Sequence, residues 1–471
     1  MSKFKELGKN TVLVFVGNIG SKMIAFLMLP FYTKWLSVED YGTSDNALIY
    51  VNLLIGIFTL SISESIFIFP KDQEFSKQKQ FFSSGFIGSL ILLFVTAFLL
   101  YGTKEILIEQ KILKSITDNM EYIYLLIVSL FLQTFLQQFA RSINKILVYA
   151  ISGVVLTLLT AFFSIVLVHK FGLKGFFIAQ ILSYFISAIY AFMHSKAYKY
   201  FSFKALSFDR YKEMAKYSVP LIPNAIMWWL VGSLNRPIME EYLGMHAIGL
   251  FAVAYKFPSL INVLFSVFMV SWQISVIEEY KKENYEKFYN QVLKLVFIFL
   301  GICVITLSAL GKSLTALVTD VKFFDAWLYI PILSLASLFS SISGFVGANF
   351  SATRESKYYF YSSVWGAVIA VIFNFLLIPL WGLYGAVIST GLSHFIMMLS
   401  RIKYSWRSAK IYNLAFYIMM LLIITIMILC FSFLENTTIL ISVFALGIIC
   451  FCFLIRKDFY YCLHLLKKIK L

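Results

Sequence analysis

Two lysines stand where a membrane-spanning chain tolerates charge least. Lys22 lies near the middle of an apolar run over residues 11–33, and Lys256 lies about nine residues into another over 247–277. A charge at mid-bilayer costs roughly 2.5–3.5 kcal/mol on insertion scales, so such side chains generally face a bundle interior or a watery cavity. Lys256 belongs to Tyr255-Lys-Phe-Pro258, where proline removes a backbone donor and loosens the helix. Arg236 stands beside Pro237 at the outer end of the run 214–235 and is a third candidate cation, with interfacial snorkelling as the bland alternative. Glu64, within Ser61-Ile-Ser-Glu-Ser65, is the one deep acid, able to pair with a lysine or to carry a coupling ion or proton. The deep cations outnumber it. A cationic interior suits an anionic substrate, and a flexible lysine is a point-charge partner for phosphate.

Amides recur inside the apolar runs. Asn18, Gln133, Gln137, Asn224 and Asn262 are candidate linings of a hydrated, sugar-compatible path. Gln133 and Gln137 are four apart and share one helix face. The competing role for each is to join neighbouring helices. The aromatics read mostly as lipid-facing Phe and interfacial Trp and Tyr; Trp228 and Trp229 are the pair that could instead stack on a sugar. Asp45 and Glu240 fall near the outer boundary and are expected to be solvated.

These residues need a scaffold, and the composition names its class. Of 471 residues, 60% are hydrophobic and only 14% charged, and the mean hydropathy is +0.82. A soluble chain of this length carries far more charge, so the expectation is an all-α polytopic membrane protein. About 20 apolar residues cross a bilayer core, which gives fourteen candidate spans: 11–33, 43–69, 81–101, 120–140, 146–168, 172–194, 214–235, 247–277, 291–311, 325–350, 358–379, 381–401, 412–433 and 437–455. The first run is too long for a signal peptide and lacks a cleavage site, so it reads as a retained helix. The net charge of +16 reflects loop lysines that set topology and meet anionic headgroups, not nucleic acid. The five cysteines form no CxxC pair and no metal-ligand cluster. No phosphate-binding loop and no nucleophile–base constellation is present, so no cofactor and no enzymatic activity are expected.

With the N-terminus inside, 28 lysines and arginines fall in the inner segments and nine in the outer ones. That bias predicts both termini in the cytoplasm. The chain also repeats itself. Gly172, Leu173, Gly175, Ile178, Leu182, Ser183, Phe185 and Ile186 recur 210 residues later as Gly382, Leu383, Gly385, Ile388, Leu392, Ser393, Phe395 and Ile396. A weaker match at offset 207 links Pro30, Leu36 and Gly42 to Pro237, Leu243 and Gly249. Six spans per copy make the duplication parallel. It predicts a first lobe over 1–200, a cytoplasmic linker over 201–213, a second lobe over 214–405, and two further helices with a basic tail over 406–471. Two such lobes enclose a central cavity and suit alternating access. A scaffold has no need of them, and a membrane glycan polymerase or ligase would need a larger outer loop than residues 102–119 provide.

The opening Asn10-Thr-Val with Gly17-Asn18, Leu29-Pro-Phe-Tyr-Thr33 ahead of Tyr41-Gly42, Tyr217-Ser-Val-Pro-Leu-Ile-Pro223, Gly249 through Pro258, Trp272 and Gly382-Leu-Tyr-Gly-Ala386 together resemble the Wzx-type (O-antigen) polysaccharide flippases of the multidrug/oligosaccharidyl-lipid/polysaccharide exporter superfamily. The resemblance covers roughly residues 5–405. It implies two six-helix lobes around a cationic cavity, and movement of undecaprenyl-pyrophosphate-linked oligosaccharide, an O-antigen or capsule repeat unit, across a bacterial cytoplasmic membrane on an ion gradient. A polysaccharide polymerase and a chain-length regulator are the implied partners beside membrane lipids. The nearest alternative is a small-molecule antiporter of the same superfamily, for which more interior acids are expected.

Overall fold

The structure, a computed structural model, describes residue 24 and residues 26–109 and 114–433. Lys22, Asn18 and the span expected at 437–455 lie outside them. The described chain is all helix and turn. Its helices are α1 Leu29–Trp35, α2 Val38–Phe58, α3 Ile62–Ile68, α4 Phe75–Glu109, α5 Lys114–Thr117, α6 Met120–Ser142, α7 Ile146–Ser195, α8 Phe208–Ser218, α9 Ile222–Ser233, α10 Asn235–Glu279, α11 Tyr285–Val318, α12 Ile330–Ala352, α13 Lys357–Ser405 and α14 Leu414–Phe433. Among the described residues, eight helical stretches are long and apolar enough to cross a membrane, or nine if α2 and α3 count as one bent span. This is a multi-pass membrane protein.

Local chemistry sets the helix ends. Ser37 caps α2 by accepting from the Asp40 N–H at 3.0 Å, and Ser207 caps α8 by accepting from Arg210. Pro30, Pro223 and Pro331 occupy first-turn positions, where their missing N–H costs nothing. Three long stretches hide breaks. Residues 172, 244 and 382 have non-helical backbones inside α7, α10 and α13, and all three are glycines at positive φ.

The repeat read from the sequence returns in the backbone. Gly172 has φ 55°, ψ −130°, and Gly382 has φ 58°, ψ −132°, a region that only glycine enters freely. Three residues on, a methyl group at Gly175 would lie 2.1 Å from the Leu167 carbonyl oxygen, and one at Gly385 would lie 2.0 Å from that of Leu377. The motif Gly-x-x-Gly therefore turns the chain at its first glycine and lets the returning helix touch the departing one at its second. The preceding turn repeats too. Asn144 and Arg354 are both left-handed, and the next N–H bonds the carbonyl five residues back in each copy, Lys145 to Ala140 at 2.9 Å and Glu355 to Phe350 at 3.0 Å.

By packing, the chain divides into two compact units, residues 1–252 and 253–471. The first is built around Phe82, Phe131, Phe135 and Phe139, all fully buried, with Phe82 and Phe139 ring centroids 4.4 Å apart. Tyr32 on α1 shares a hydrogen bond of 2.8 Å with Ser164 on α7. The second unit centres on Trp272, whose ring stacks on Phe345 at 4.2 Å and whose indole N–H donates to the Phe345 carbonyl. Between membrane helices such packing and polar ties supply the association that lipid-facing apolar surface cannot.

Candidate functional site

In the first unit the polar residues gather where α2 meets the start of α10. The two backbones cross at glycines. A methyl group at Gly42 would lie 2.2 Å from the Met245 carbonyl oxygen, and one at Gly249 would lie 2.0 Å from that of Val38. Gly42 and Gly249, like Val38 and Met245, are 207 apart, so the crossing is reciprocal. Small residues bring the helices this close.

That approach assembles a network on neighbouring turns. Arg236 is 4% exposed. Its Nε donates to Asp45 Oδ2 at 3.4 Å, its Nη1 donates to the Gly232 carbonyl and to Asn235 Oδ1, and its guanidinium lies 4.6 Å over the Phe251 ring. Next to it, Glu240 accepts from Asn46 Nδ2 and from the Ser115 N–H, each at 2.8 Å. Asn46 also donates to Ser115 Oγ. Asp45 and Glu240, expected to be solvated, are instead bonded members of this cluster. The reason is the glycine crossing, which buries the turn that carries Asp45 and Asn46.

The expected span 43–69 is broken. α2 and α3 meet at 63°, across Leu60 and Ser61, both at φ 51°. The N–H of Ser61 and its hydroxyl both donate to the Gly56 carbonyl, and Ser218 Oγ, from α8, donates to the Leu60 carbonyl at 2.7 Å. Glu64 follows the break and is exposed. Gln133 donates to Gln137 at 3.0 Å along one face of α6, and Gln137 Nε2 reaches the Tyr149 carbonyl and so ties α6 to α7. Asn224 is exposed on α9. Trp229 donates to the Ile49 carbonyl at 3.3 Å. Joining the two ends of α7, Lys145 Nζ donates to the Ser195 carbonyl at 2.6 Å. Burial holds the Lys145 amine below its ordinary pKa, and Lys196 and Lys199 push it further the same way.

In the second unit Lys256 lies half-buried on α10, two residues before Pro258. Among the described residues no carboxylate is within ion-pair distance of its ammonium. Asn262 Nδ2 donates to Ser337 Oγ and its Oδ1 accepts from Ser341, linking α10 to α12.

One residue escaped the sequence reading. Arg401, counted there with the inner loop charges, is 1% exposed on α13. Its Nε donates to Ser362 Oγ and its Nη1 to the Ser343 carbonyl, and it stacks on Tyr359 at 4.7 Å. The available signal was its place within the span expected at 381–401. Close by, Tyr285 donates to Asn349, and Asn349 Nδ2 donates to Ser405 Oγ at 2.8 Å. Among the described residues no group of His, Cys, Asp or Glu is arranged to hold a metal.

The profile of the family described as "Polysaccharide biosynthesis protein" matches residues 7–273. A curated relative, the capsular polysaccharide biosynthesis protein CapF of Staphylococcus aureus, is 28% identical over 196 residues, which is 41% of this chain and 49% of that protein. The chain thus spans about half the length of this relative. Among solved structures, the lipid II flippase MurJ in an inward closed conformation superposes with a TM-score of 0.67 at 16% identity, over 96% of this chain and 99% of that one. An inward-facing MATE family multidrug transporter superposes with a TM-score of 0.65 at 13% identity, over 83% and 94%. At these identities the likeness is one of fold.

Proposed function

Since the chain belongs to the polysaccharide biosynthesis protein family, we propose that it is a flippase. It moves an undecaprenyl-pyrophosphate-linked oligosaccharide across a bacterial cytoplasmic membrane by alternating access, on an ion gradient. The observation that carries this reading is Lys256, a half-buried cation in a proline-loosened membrane helix with no acidic partner among the described residues. It is suited to hold a pyrophosphate or an acidic sugar as a point charge. Arg236 offers its charge to substrate only when its pair with Asp45 opens. Lys22 and Asn18 are proposed to extend the cationic, polar path, and Glu64, exposed beside the break in the second span, is the proposed coupling group.

The fourteen-helix reading has support of its own. Nine stretches, three of them divided by a glycine, give twelve candidate membrane crossings among the described residues, and the spans expected at 11–33 and 437–455 make fourteen. Both termini then lie in the cytoplasm, as the charge bias requires.

Lys256→Ala is expected to abolish surface glycan at unchanged protein level while lipid-linked repeat units accumulate in the cell. Lys256→Arg, which keeps the charge, is expected to retain part of it. Wild-type glycan in a Lys22→Ala/Lys256→Ala double variant sinks the assignment.

A further inference from the structure

We propose that the segment over residues 196–216 is a seat for the anionic surface of a lipid bilayer, with Phe203 and Phe208 inserted and Lys199, Lys204, Lys212 and Lys216 on the headgroups. One side of the segment is fixed to protein. Ser83 Oγ donates to the Tyr200 carbonyl and accepts from the Ser202 N–H, and Ser84 Oγ accepts from the Ser207 N–H, each at 2.9 Å. Farther along, Tyr211 and Met214 press on Gly88 and Gly85 of α4, where an added methyl group would lie 2.5 Å from the Tyr211 ring and 3.0 Å from Met214 Cε.

The other side is apolar and unclothed. Phe203 is 69% and Phe208 78% exposed, with Leu206 and Tyr198 beside them. Residues 196–207 lie outside the candidate spans and Phe208 stands at the first residue of the stretch Phe208–Glu279, so hydrocarbon-facing position alone does not account for Phe203, Leu206 and Tyr198. Around them the four lysines are exposed, and among the described residues none has an acidic partner. Arg210 is different: it is tied back to Glu213 and Gln80. The segment holds six basic and two acidic residues, and a membrane helix continues the chain at either end, so it cannot leave the bilayer surface. Aromatic anchors ringed by lysines fit the interface of an anionic leaflet. They fit a second copy of this chain poorly, since that would bring like charges together. The end of the seat is bonded to the broken helix through Ser218 and the Leu60 carbonyl, so headgroups that hold α8 also bear on the joint between α2 and α3. The inference stands whether or not the chain moves a glycan.

The test replaces Phe203, and separately Phe208, by photoreactive benzoylphenylalanine in the full chain. The protein is placed in vesicles of equal parts phosphatidylglycerol and phosphatidylcholine, illuminated, and its adducts are identified by mass spectrometry. Phosphatidylglycerol adducts are expected to exceed phosphatidylcholine adducts by at least ~3-fold at both positions. In a Lys199→Gln/Lys204→Gln/Lys212→Gln/Lys216→Gln background the ratio is expected to fall towards one. Phe98, 77% exposed within a span, carries the same probe as control and is expected to show no enrichment. Adducts to protein alone, equal yields from the two lipids, or equal enrichment at Phe98 overturn the proposal.

Discussion

The crossing of α2 and α10 yields a prediction that can be worked in numbers. In Gly249→Ala the new methyl group meets the Val38 carbonyl oxygen at 2.0 Å and the Val38 Cγ1 at 2.8 Å. The first obstacle is backbone and cannot rotate away. Moving from 2.0 Å to an ordinary contact of about 3.4 Å requires the helices to part by about 1.4 Å. A gap approaching that size forfeits a large share of the dispersion between the two faces. Overpacking of this kind typically costs about 1–3 kcal/mol. The Arg236–Asp45 bond, already 3.4 Å, then passes out of hydrogen-bond reach. Gly42→Ala meets the Met245 carbonyl oxygen at 2.2 Å and forces the same separation. The two costs are therefore not independent: once one methyl group has parted the helices, the second has room. The assay is thermal unfolding of purified protein in detergent for both single variants, the double variant, and Gly391→Ala as control, where an added methyl group meets nothing within 4 Å. Both singles are expected to lose stability, the double clearly less than their sum, and the control to stay near the parent. Additive losses, or a harmless Gly249→Ala, refute the reasoning.

Two further outcomes are expected. Ser218→Ala leaves the part-buried Leu60 carbonyl without its 2.7 Å donor, a loss of at most about 1–3 kcal/mol, and hydrogen exchange at Ser61 and Ile62 should quicken while that of α6 does not. Lys145 has its pKa lowered by burial and by Lys196 and Lys199, so its uncharged amine is populated at lower pH than that of an ordinary lysine; its acetylation, followed by mass spectrometry against pH, should reach half-maximum below the ordinary lysine value, and Lys196→Gln/Lys199→Gln should raise that midpoint.

Some of this architecture was legible in the sequence because it rests on periodic or local rules. Apolar length marked the spans, and the turns at Gly172 and Gly382 were readable because only glycine accepts their backbone. The break at Leu60 and Ser61 was not readable. Neither residue favours a left-handed backbone, and the donor that satisfies the Leu60 carbonyl, Ser218, is 158 residues away. The same distance effect hid the partners of Arg236 and Glu240. Asp45 and Asn46 stand close to a span boundary where solvation is the natural expectation, and only the contact of Gly42 with Met245 buries them. Arg401 was misplaced for the converse reason. Counting charge by loop assigns a cation at a span end to water, but Ser362, the Ser343 carbonyl and Tyr359 form a polar recess that receives it.

The duplication separates what the two copies share from what each adds. The shared features are backbone: the left-handed glycines, the left-handed turn residues Asn144 and Arg354, and the reciprocal glycines of the crossing. The charged side chains are not shared. At offset 207, Asp45 corresponds to Ala252, Asn46 to Val253, Arg236 to Leu29, Glu240 to Thr33 and Lys256 to Ile49; at offset 210, Arg401 corresponds to Ala191. Helix breakage is one-sided as well, since α2 ends at Phe58 while α10 runs unbroken through Val267 and Phe268, the equivalents of Leu60 and Ser61. A backbone that packs equally in both copies imposes no polarity of its own. Each of these charges therefore costs desolvation that its counterpart avoids, and nothing in the scaffold demands it. In the first copy the unmatched acid and amide meet the unmatched arginine and glutamate across the crossing, which offsets that cost in pairs. Lys256 has no such offset among the described residues, and that difference, more than its depth alone, is why it is the side chain proposed to meet a phosphate.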